Sequence, residues 1–548
     1  MTKRNLLSLI LACFACSTQA QFYQHNIDGK VSEFLKNNIV FENDMVVAAE
    51  SPRPYSMQEG LYRFYERRNF EPAWIDKNGV KTIADSLLIM LKEEQKLYGS
   101  LGKTFENLLS ENEKYVQKNG EYDEEVLGNL EVNFTRAFVY LADMNLKGYV
   151  LPSELEKYEW YHPVREADLA TVLEFAIMKN DIREGLESVL PKRKDYWQLV
   201  GFLGKYEKIK ENGGWKSLPE SITEIEIGAI DDVVLDLKKR LEITESYQMK
   251  NESLYDDELV DVVSNYQRNN GLEIDGEVGS STLKALNIPV EERISQLKIN
   301  IERYKWLPEE RGRRHIWVNI PEYMLRIYED EKVVKEHIVV VGSKGHKTPL
   351  FSSRLTNLVI NPYWNVPYSI ARNEIIPKLQ KGTSYLTKQR FDVIDTKKML
   401  GVVDSAKGID WTNTNEVKKQ FRFRQKPGPG NALGRIKFNL PNDWSIYLHD
   451  TPSKRYFSRA YRAVSHGCIR VHDPVGLAAS VIRDDFSYNK KQIEDKIRSG
   501  QNQRFNIDEE LPVHLIYMTA WVDESGTLQF RDDIYGKDVM HAKAIGNF

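Results

Sequence analysis

Residues 444–471 read WSIYLHDTPSKRYFSRAYRAVSHGCIRV, and the two ends of this stretch decide what kind of domain carries it. Successive side chains of a strand point to opposite faces. At the first end Trp444, Ile446 and Leu448 therefore fall on an inward face, with Tyr447 and His449 together on the other. At the second end Ile469 and Val471 point inward, and Cys468 shares the outer face with Arg470. The 19-residue interval from His449 to Cys468 leaves the chain room to bring the two outer faces together.

The same period of two extends on both sides. Ile316, Val318 and Ile320 alternate, as do Leu325 and Ile327, and the apolar run Ile338 to Val341 follows. Asn357 to Trp364 and Val513 to Trp521 continue the pattern. Strands in this number, turned by Gly and Asn/Asp, predict a mainly β, β-sandwich-like domain over residues 312–536. Residues 378–419 are polar and fit the alternation poorly; they read as an insertion, a candidate lid over the site.

Upstream the periodicity becomes helical. Residues 227–288 predict three short helices, marked by Val233, Val234, Leu237 and Leu241, then Leu259, Val262, Val263 and Tyr266, then Thr282, Leu283 and Leu286. Ser280 or Ser281 is the expected cap of the third. Residues 21–212 read as a helical scaffold. Phe134, Phe138, Leu141 and Met144 recur on one side of a helix there, and the aromatics of 60–74 read as core. The whole is a multidomain α+β chain, and 548 residues are too many for one core.

Residues 1–20 read as an export signal: Lys3 and Arg4, the apolar run Leu6 to Ala15, then small residues before a cleavage point after Ala20. Lipid attachment at Cys13 is the alternative. Either way the expected location is outside the cytoplasm, in the periplasm, as a free protein or a lipoprotein. Cys13 and Cys16 form a CxxC inside the signal, so Cys468 is the thiol certain to remain after processing. With 76 basic and 80 acidic side chains there is no global field to gather nucleic acid.

A thiol of ordinary acidity is only a few per cent thiolate at neutral pH. An imidazole within reach can take its proton or hold the thiolate as an ion pair. Cys468 with His449 meets that need. Gly467 removes a side chain beside the thiol, so that backbone N–H groups can face a developing oxyanion. Arg470, on the same face as Cys468, is a candidate donor to a substrate carboxylate. Trp364 and Tyr447 are candidates for lining the cleft, though packing explains either equally well. Arg455, Arg459 and Arg462 read as a solvated loop. A metal site built from His449, His466 and His472 lacks an evident ligand geometry, so neither metal nor cofactor is expected.

The set His449, Ser465, His466, Gly467, Cys468, Ile469 and Arg470 resembles the signature of the L,D-transpeptidases, whose catalytic domain is called YkuD. Residues 360–367, 426–431 and 519–523 extend the likeness. Asp450-Thr451-Pro452 stands where smaller relatives often have glycine, as in the larger members. The run from Tyr266 to Leu283, with Gln267, Gly271, Asp275, Gly276 and Gly279, resembles a small peptidoglycan-binding domain. The resemblance implies that Cys468 is the acylated nucleophile, His449 its general base, and that His466 orients the site or stabilises the tetrahedral intermediate. It also implies tetrapeptide stems of peptidoglycan as donors, D-Ala as leaving group, the amine of a neighbouring stem as acceptor, 3→3 crosslinks, and inhibition by carbapenems. L,D-carboxypeptidase or D-amino-acid exchange activity remains open on the same acyl-enzyme, and so does a non-catalytic wall-binding scaffold.

Overall fold

The computed structural model describes residues 29–546 apart from 40–51, 77, 99–102, 118–123, 156, 220, 246, 249–252, 399–400 and 483–488. The expected export signal lies outside the described residues, as do Cys13 and Cys16. Among the described residues no helix is long and apolar enough to cross a membrane. The chain divides into two units. One runs to Glu154 and takes in Arg165–Pro191 and the residues from Ala544; the other comprises Leu155–Val164 and Lys192–Lys543.

The first unit is helical and is organised by α1 (Glu124–Lys147). Phe134, Phe138, Leu141 and Met144 are all buried, as their spacing predicts, and Phe64, Tyr65 and Trp74 join the same core. What the spacing does not reveal is Glu131 on the same helix, which is fully buried. Its carboxylate accepts the backbone N–H groups of Ala73, Trp74 and Ile75 at 2.6, 2.9 and 3.0 Å, and the Tyr65 hydroxyl at 2.8 Å. Three buried donors of an irregular segment thus find one acceptor.

In the second unit α2 (Asp232–Thr244), α3 (Asp257–Asn269) and α4 (Ser280–Leu286) form a small core around Leu237, Leu259, Val263 and Leu286. The expected serine cap is absent: Gly279 is the residue before α4, with no side-chain cap, and Ser280 and Ser281 already lie in the helix. Gln267 explains the turn that follows α3. Its Nε2 donates to Asp275 Oδ1 and the Glu277 carbonyl at 2.7 and 2.8 Å, while its Oε1 accepts the N–H groups of Asp275 and Gly276. Gly276 has φ of 72°, and a Cβ there would lie 2.7 Å from Val260 Cγ1. Only glycine fits that turn.

The catalytic region is mainly β, its strands wrapped into one closed sheet. Its strands are β1 (Arg314–Asn319), β2 (Met324–Glu329), β3 (Lys332–Gly342), β4 (Leu350–Ile360), β9 (Ile436–Asn439), β10 (Tyr447–His449), β12 (Ile469–Val471) and β13 (Gln503–Ile516). They run in the order β9-β10-β12-β3-β2-β1-β13-β4, and β9 pairs with β4 to close the ring. A short β11 (Ala463–Ser465) pairs parallel with β3. Ile316, Val318, Leu325, Ile327, Val341, Leu448, Ile469, Val471, Val513 and Leu515 are all fully buried. Closure leaves no free edge among these strands.

Between β4 and β9 the chain builds a separate small sheet. β5 (Trp364–Asn365), β6 (Phe391–Asp395), β7 (Gly401–Val402) and β8 (Phe421–Gln425) take the order β7-β6-β8-β5. Ile375, Ile376, Leu379, Val393, Trp411 and Phe423 form its own core. The insertion therefore spans 364–425 rather than 378–419. Its alternation is hard to see because short helices, Ser384–Lys388 and Thr414–Gln420 among them, interrupt the strands.

The second unit buries several histidines in neutral form. Burial holds His162 down to about 3, and His315, His337 and His514 down to about 4. Between those values and the ordinary 6.5 the unfolded chain binds protons that the folded one does not, so stability falls as pH drops through that window. Thermal unfolding followed from pH 7 to pH 5 is expected to show a steadily falling midpoint; a flat profile contradicts the neutral assignment.

Candidate active site

The site is built on one strand pair. β10 and β12 run parallel, with Leu448 opposite Ile469 and His449 opposite Arg470. A parallel pair needs a long crossover, and residues 450–468 supply it. One step back along the same register Tyr447 comes opposite Cys468. Leu448 and Ile469 are fully buried, so Tyr447, His449, Cys468 and Arg470 share the other face. His449 is then the diagonal neighbour of Cys468 on that face, one side-chain position further along the pair.

Trp444 does not join the inward face expected for it. It is 37% exposed and stacks on Tyr161 at 4.2 Å. The cause is Ser445, whose φ of 57° breaks the extended run before β10 begins. Asn442 fixes this bend: its Oδ1 accepts the N–H groups of Trp444 and Ile446, and its Nδ2 donates to the Leu440 and Ile446 carbonyls. The bend turns the Ser445 carbonyl toward Cys468, whose thiol donates to it at 3.7 Å.

Cys468 is partly exposed at the surface of the site. Burial of its sulfur pushes the thiol up, and hydrogen bonds from the Tyr447 backbone and hydroxyl, then the charges of Lys437 and Arg470, oppose that. The Tyr447 hydroxyl also meets Trp364, and burial followed by the neighbouring sulfur raises it far above its ordinary value. His449 is held down to about 3 by burial, then by the charge of Arg470. Its Nδ1 donates to the Asp450 carbonyl at 2.5 Å, which leaves Nε2 as the lone-pair nitrogen. Asp450 is itself fixed, its carboxylate accepting from the Arg435 N–H at 2.8 Å and from Lys454 at 2.6 Å.

The turn before the thiol is equally constrained. Gly467 has φ of 109°, a region that side chains avoid. Ser465 Oγ accepts the Gly467 N–H at 3.1 Å and donates to the Cys468 carbonyl at 2.7 Å, while Thr348 Oγ1 donates to the Gly467 carbonyl at 2.7 Å. The Gly467 N–H is thus engaged, and what the glycine supplies here is the conformation of the turn. His466 points away from this bend, its Nε2 3.0 Å from Glu374 Oε1 and its ring 4.9 Å from that of His346. Glu374 lies on Ala371–Ile375, a single π-turn of the insertion; such turns recur at functional sites.

Of the residues expected for substrate, Trp364 sits on β5 of the insertion, with Gln425 as its strand partner. Arg470 is half-buried, its guanidinium 5.9 Å from the centre of the Tyr456 ring. Sequence reasoning missed Lys437, whose β9 position pairs with His449 and whose Nζ lies 4.1 Å from the centre of the Tyr447 ring. The alternation of Ile436, Phe438 and Leu440 was the available signal; it sets Lys437 on the outer face. Among the described residues no group of three or more His, Cys, Asp or Glu side chains is placed to hold a metal.

Residues 313–485 match the family model described as the L,D-transpeptidase catalytic domain, YkuD. Residues 59–203 match a scaffold domain, and residues 231–286 a "Putative peptidoglycan binding domain". The chain is 36% identical over 249 residues to a "Putative L,D-transpeptidase" of Haemophilus influenzae, covering 45% of this chain and 49% of that protein. It thus spans about half the length of that curated relative. Solved structures with some likeness include an L,D-transpeptidase from Stackebrandtia nassauensis (12% identity, 54% of this chain and 95% of that one, TM-score 0.21). Another is from Mycobacterium smegmatis (11% identity, 37% and 58%, TM-score 0.18). The region that matches the L,D-transpeptidase catalytic domain carries every strand of the closed sheet except β13, together with His449 and Cys468. This chain joins that domain to a peptidoglycan-binding domain and a helical scaffold domain.

Ser465→Ala removes the two bonds that Ser465 makes to the turn and leaves the part-buried Cys468 carbonyl with one partner fewer. A loss of about 1–3 kcal/mol is expected, measured by urea unfolding. A midpoint equal to that of the unaltered protein contradicts the assignment.

Proposed function

We propose that the protein is an exported cysteine L,D-transpeptidase that forms 3→3 crosslinks in peptidoglycan. The observation that carries this reading is the β10–β12 register, which sets Tyr447, His449, Cys468 and Arg470 on one face. The peptidoglycan-binding domain match supports the substrate class. Lys3, Arg4 and the apolar run to Ala15 support export to the periplasm.

In the first half-reaction His449 Nε2 takes the thiol proton, and the sulfur attacks the carbonyl between the third stem residue and D-Ala. A C–S bond forms, then the C–N bond breaks. The protonated imidazole returns its proton to the departing amine, leaving a thioester on Cys468. In the second, the side-chain amine of a neighbouring stem attacks the thioester and gives a proton to His449. A C–N bond forms, the C–S bond breaks, and the imidazolium returns that proton to the departing thiolate, restoring the thiol and the neutral ring. Burial and the charge of Arg470 disfavour a resting imidazolium, so the ring starts as an acceptor. The protonated ring that forms between steps is short-lived and sits close to the developing negative charge. Arg470 is the donor proposed for a stem carboxylate, and Trp364 with Tyr447 forms the wall behind the sulfur.

Incubation of the purified protein with tetrapeptide muropeptides is expected to give crosslinked dimers and free D-Ala, and Cys468→Ser to give neither. Tripeptide without dimers would instead assign a carboxypeptidase. Intact-mass measurement after carbapenem treatment is expected to show one covalent adduct that is lost in Cys468→Ser. Absence of both adduct and turnover would leave a wall-binding scaffold.

A further inference from the structure

A lysine whose part-buried charge has an aromatic ring and a thiol for company is unusual, because burying an ammonium is costly unless something anionic offsets it. Lys437 is in that position. It lies on β9 between the fully buried Ile436 and Phe438, and the sheet register sets it directly across from His449. Its Nζ sits over the Tyr447 ring at 4.1 Å, a distance at which the ring quadrupole attracts a cation. Burial lowers its basicity, and the group that works in the opposite direction is Cys468. The coupling runs both ways, since the charge of Lys437 is among the influences that lower the thiol.

We propose that Lys437 is a positioning residue for the nucleophile: its ammonium holds the Tyr447 ring from the β9 side, so that the phenol donates to the sulfur, and its charge favours the thiolate. This rests on Cys468 being the nucleophile, and it gives the thiol a source of activation separate from His449. The need for one follows from the site itself. Burial raises the thiol and lowers the imidazole, so proton transfer between them alone runs uphill. The charged and titrating groups around the sulfur are Tyr447 and His449 on β10, Arg470 on β12, Lys437 on β9, and His466 in the adjoining turn, bonded to Glu374 of the insertion. Arg470 is the other fixed cation of this set. It lies beyond Cys468 on the nucleophile's own strand, whereas Lys437 reaches the tyrosine from the neighbouring strand.

The test needs no substrate. Alkylation of Cys468 by iodoacetamide forms a C–S bond, expels iodide and releases the thiol proton to solvent, so its rate against pH reports the thiolate directly. Lys437→Met keeps the length of the side chain and removes the charge, and Lys437→Arg keeps the charge. At pH 7 Lys437→Met is expected to slow alkylation about five- to tenfold and to move the profile to higher pH. Lys437→Arg is expected to stay within about twofold of the unaltered protein. Combining Lys437→Met with Tyr447→Phe is expected to cost less than the sum of the two, because both act on one bond. Thermal melting of each variant confirms that it is folded. Profiles of Lys437→Met and unaltered protein that superimpose would overturn the proposal and assign any lost turnover to substrate binding. Equal slowing by Met and Arg would overturn it in favour of packing. Failure of iodoacetamide to label Cys468 in the unaltered protein would instead strike at the nucleophile itself.

Discussion

The pairing of Tyr447–His449 with Ile469–Val471 is the constraint from which the rest of the site follows. Parallel neighbours keep their side chains on a shared face for as long as the register holds. Two residues 19 apart in the chain therefore become neighbours without any direct bond between them. Leu448 and Ile469, opposite each other and fully buried, hold that register from the other side of the sheet. A slip of one residue would place the imidazole in the core and an aliphatic side chain at the surface, so the apolar anchors and the reactive groups specify each other.

The site then works against its own burial. Burial alone would keep Cys468 as a thiol and His449 as a neutral ring. The structure answers with donors and charges rather than with solvent. Tyr447 gives the sulfur hydrogen bonds, Lys437 and Arg470 add positive charge, and the Asp450 carbonyl fixes which imidazole nitrogen is free. Asp450 is in turn held by the Arg435 N–H and Lys454. Preorganised groups of this kind need not reorient when charge develops.

How much of this was legible depended on whether the physics was local. The outer face of Tyr447, His449, Cys468 and Arg470 came from simple alternation, because each short strand carries its aliphatic side chains on one side only. Trp444 was misread because alternation assumes an unbroken extended chain, and the positive φ of Ser445 ends it two residues before β10. Ser280 and Ser281 were misread as caps because the choice of a helix's first residue is set by packing as well as by side-chain type. Lys437 stayed hidden for a different reason: its place beside Tyr447 depends on a β9–β10 register that no single segment encodes. The insertion was visible as a departure from pattern, but its limits were not, since β5 and β8 come together only in three dimensions.

Those limits matter because they change what the insertion is attached to. Drawn as 378–419, it would be a polar cover over the site that leaves out Trp364 and Glu374. Drawn as 364–425, it begins at Trp364, the residue that meets the Tyr447 hydroxyl, and it includes Glu374, bonded to His466. Trp364 is held by the β5–β8 pairing, so the small sheet sets where its backbone lies. The phenol in turn is among the groups that lower the Cys468 thiol. The insertion is thereby a structural part of the site: β5 brings Trp364 to the Tyr447 hydroxyl, and Glu374 stands 3.0 Å from His466.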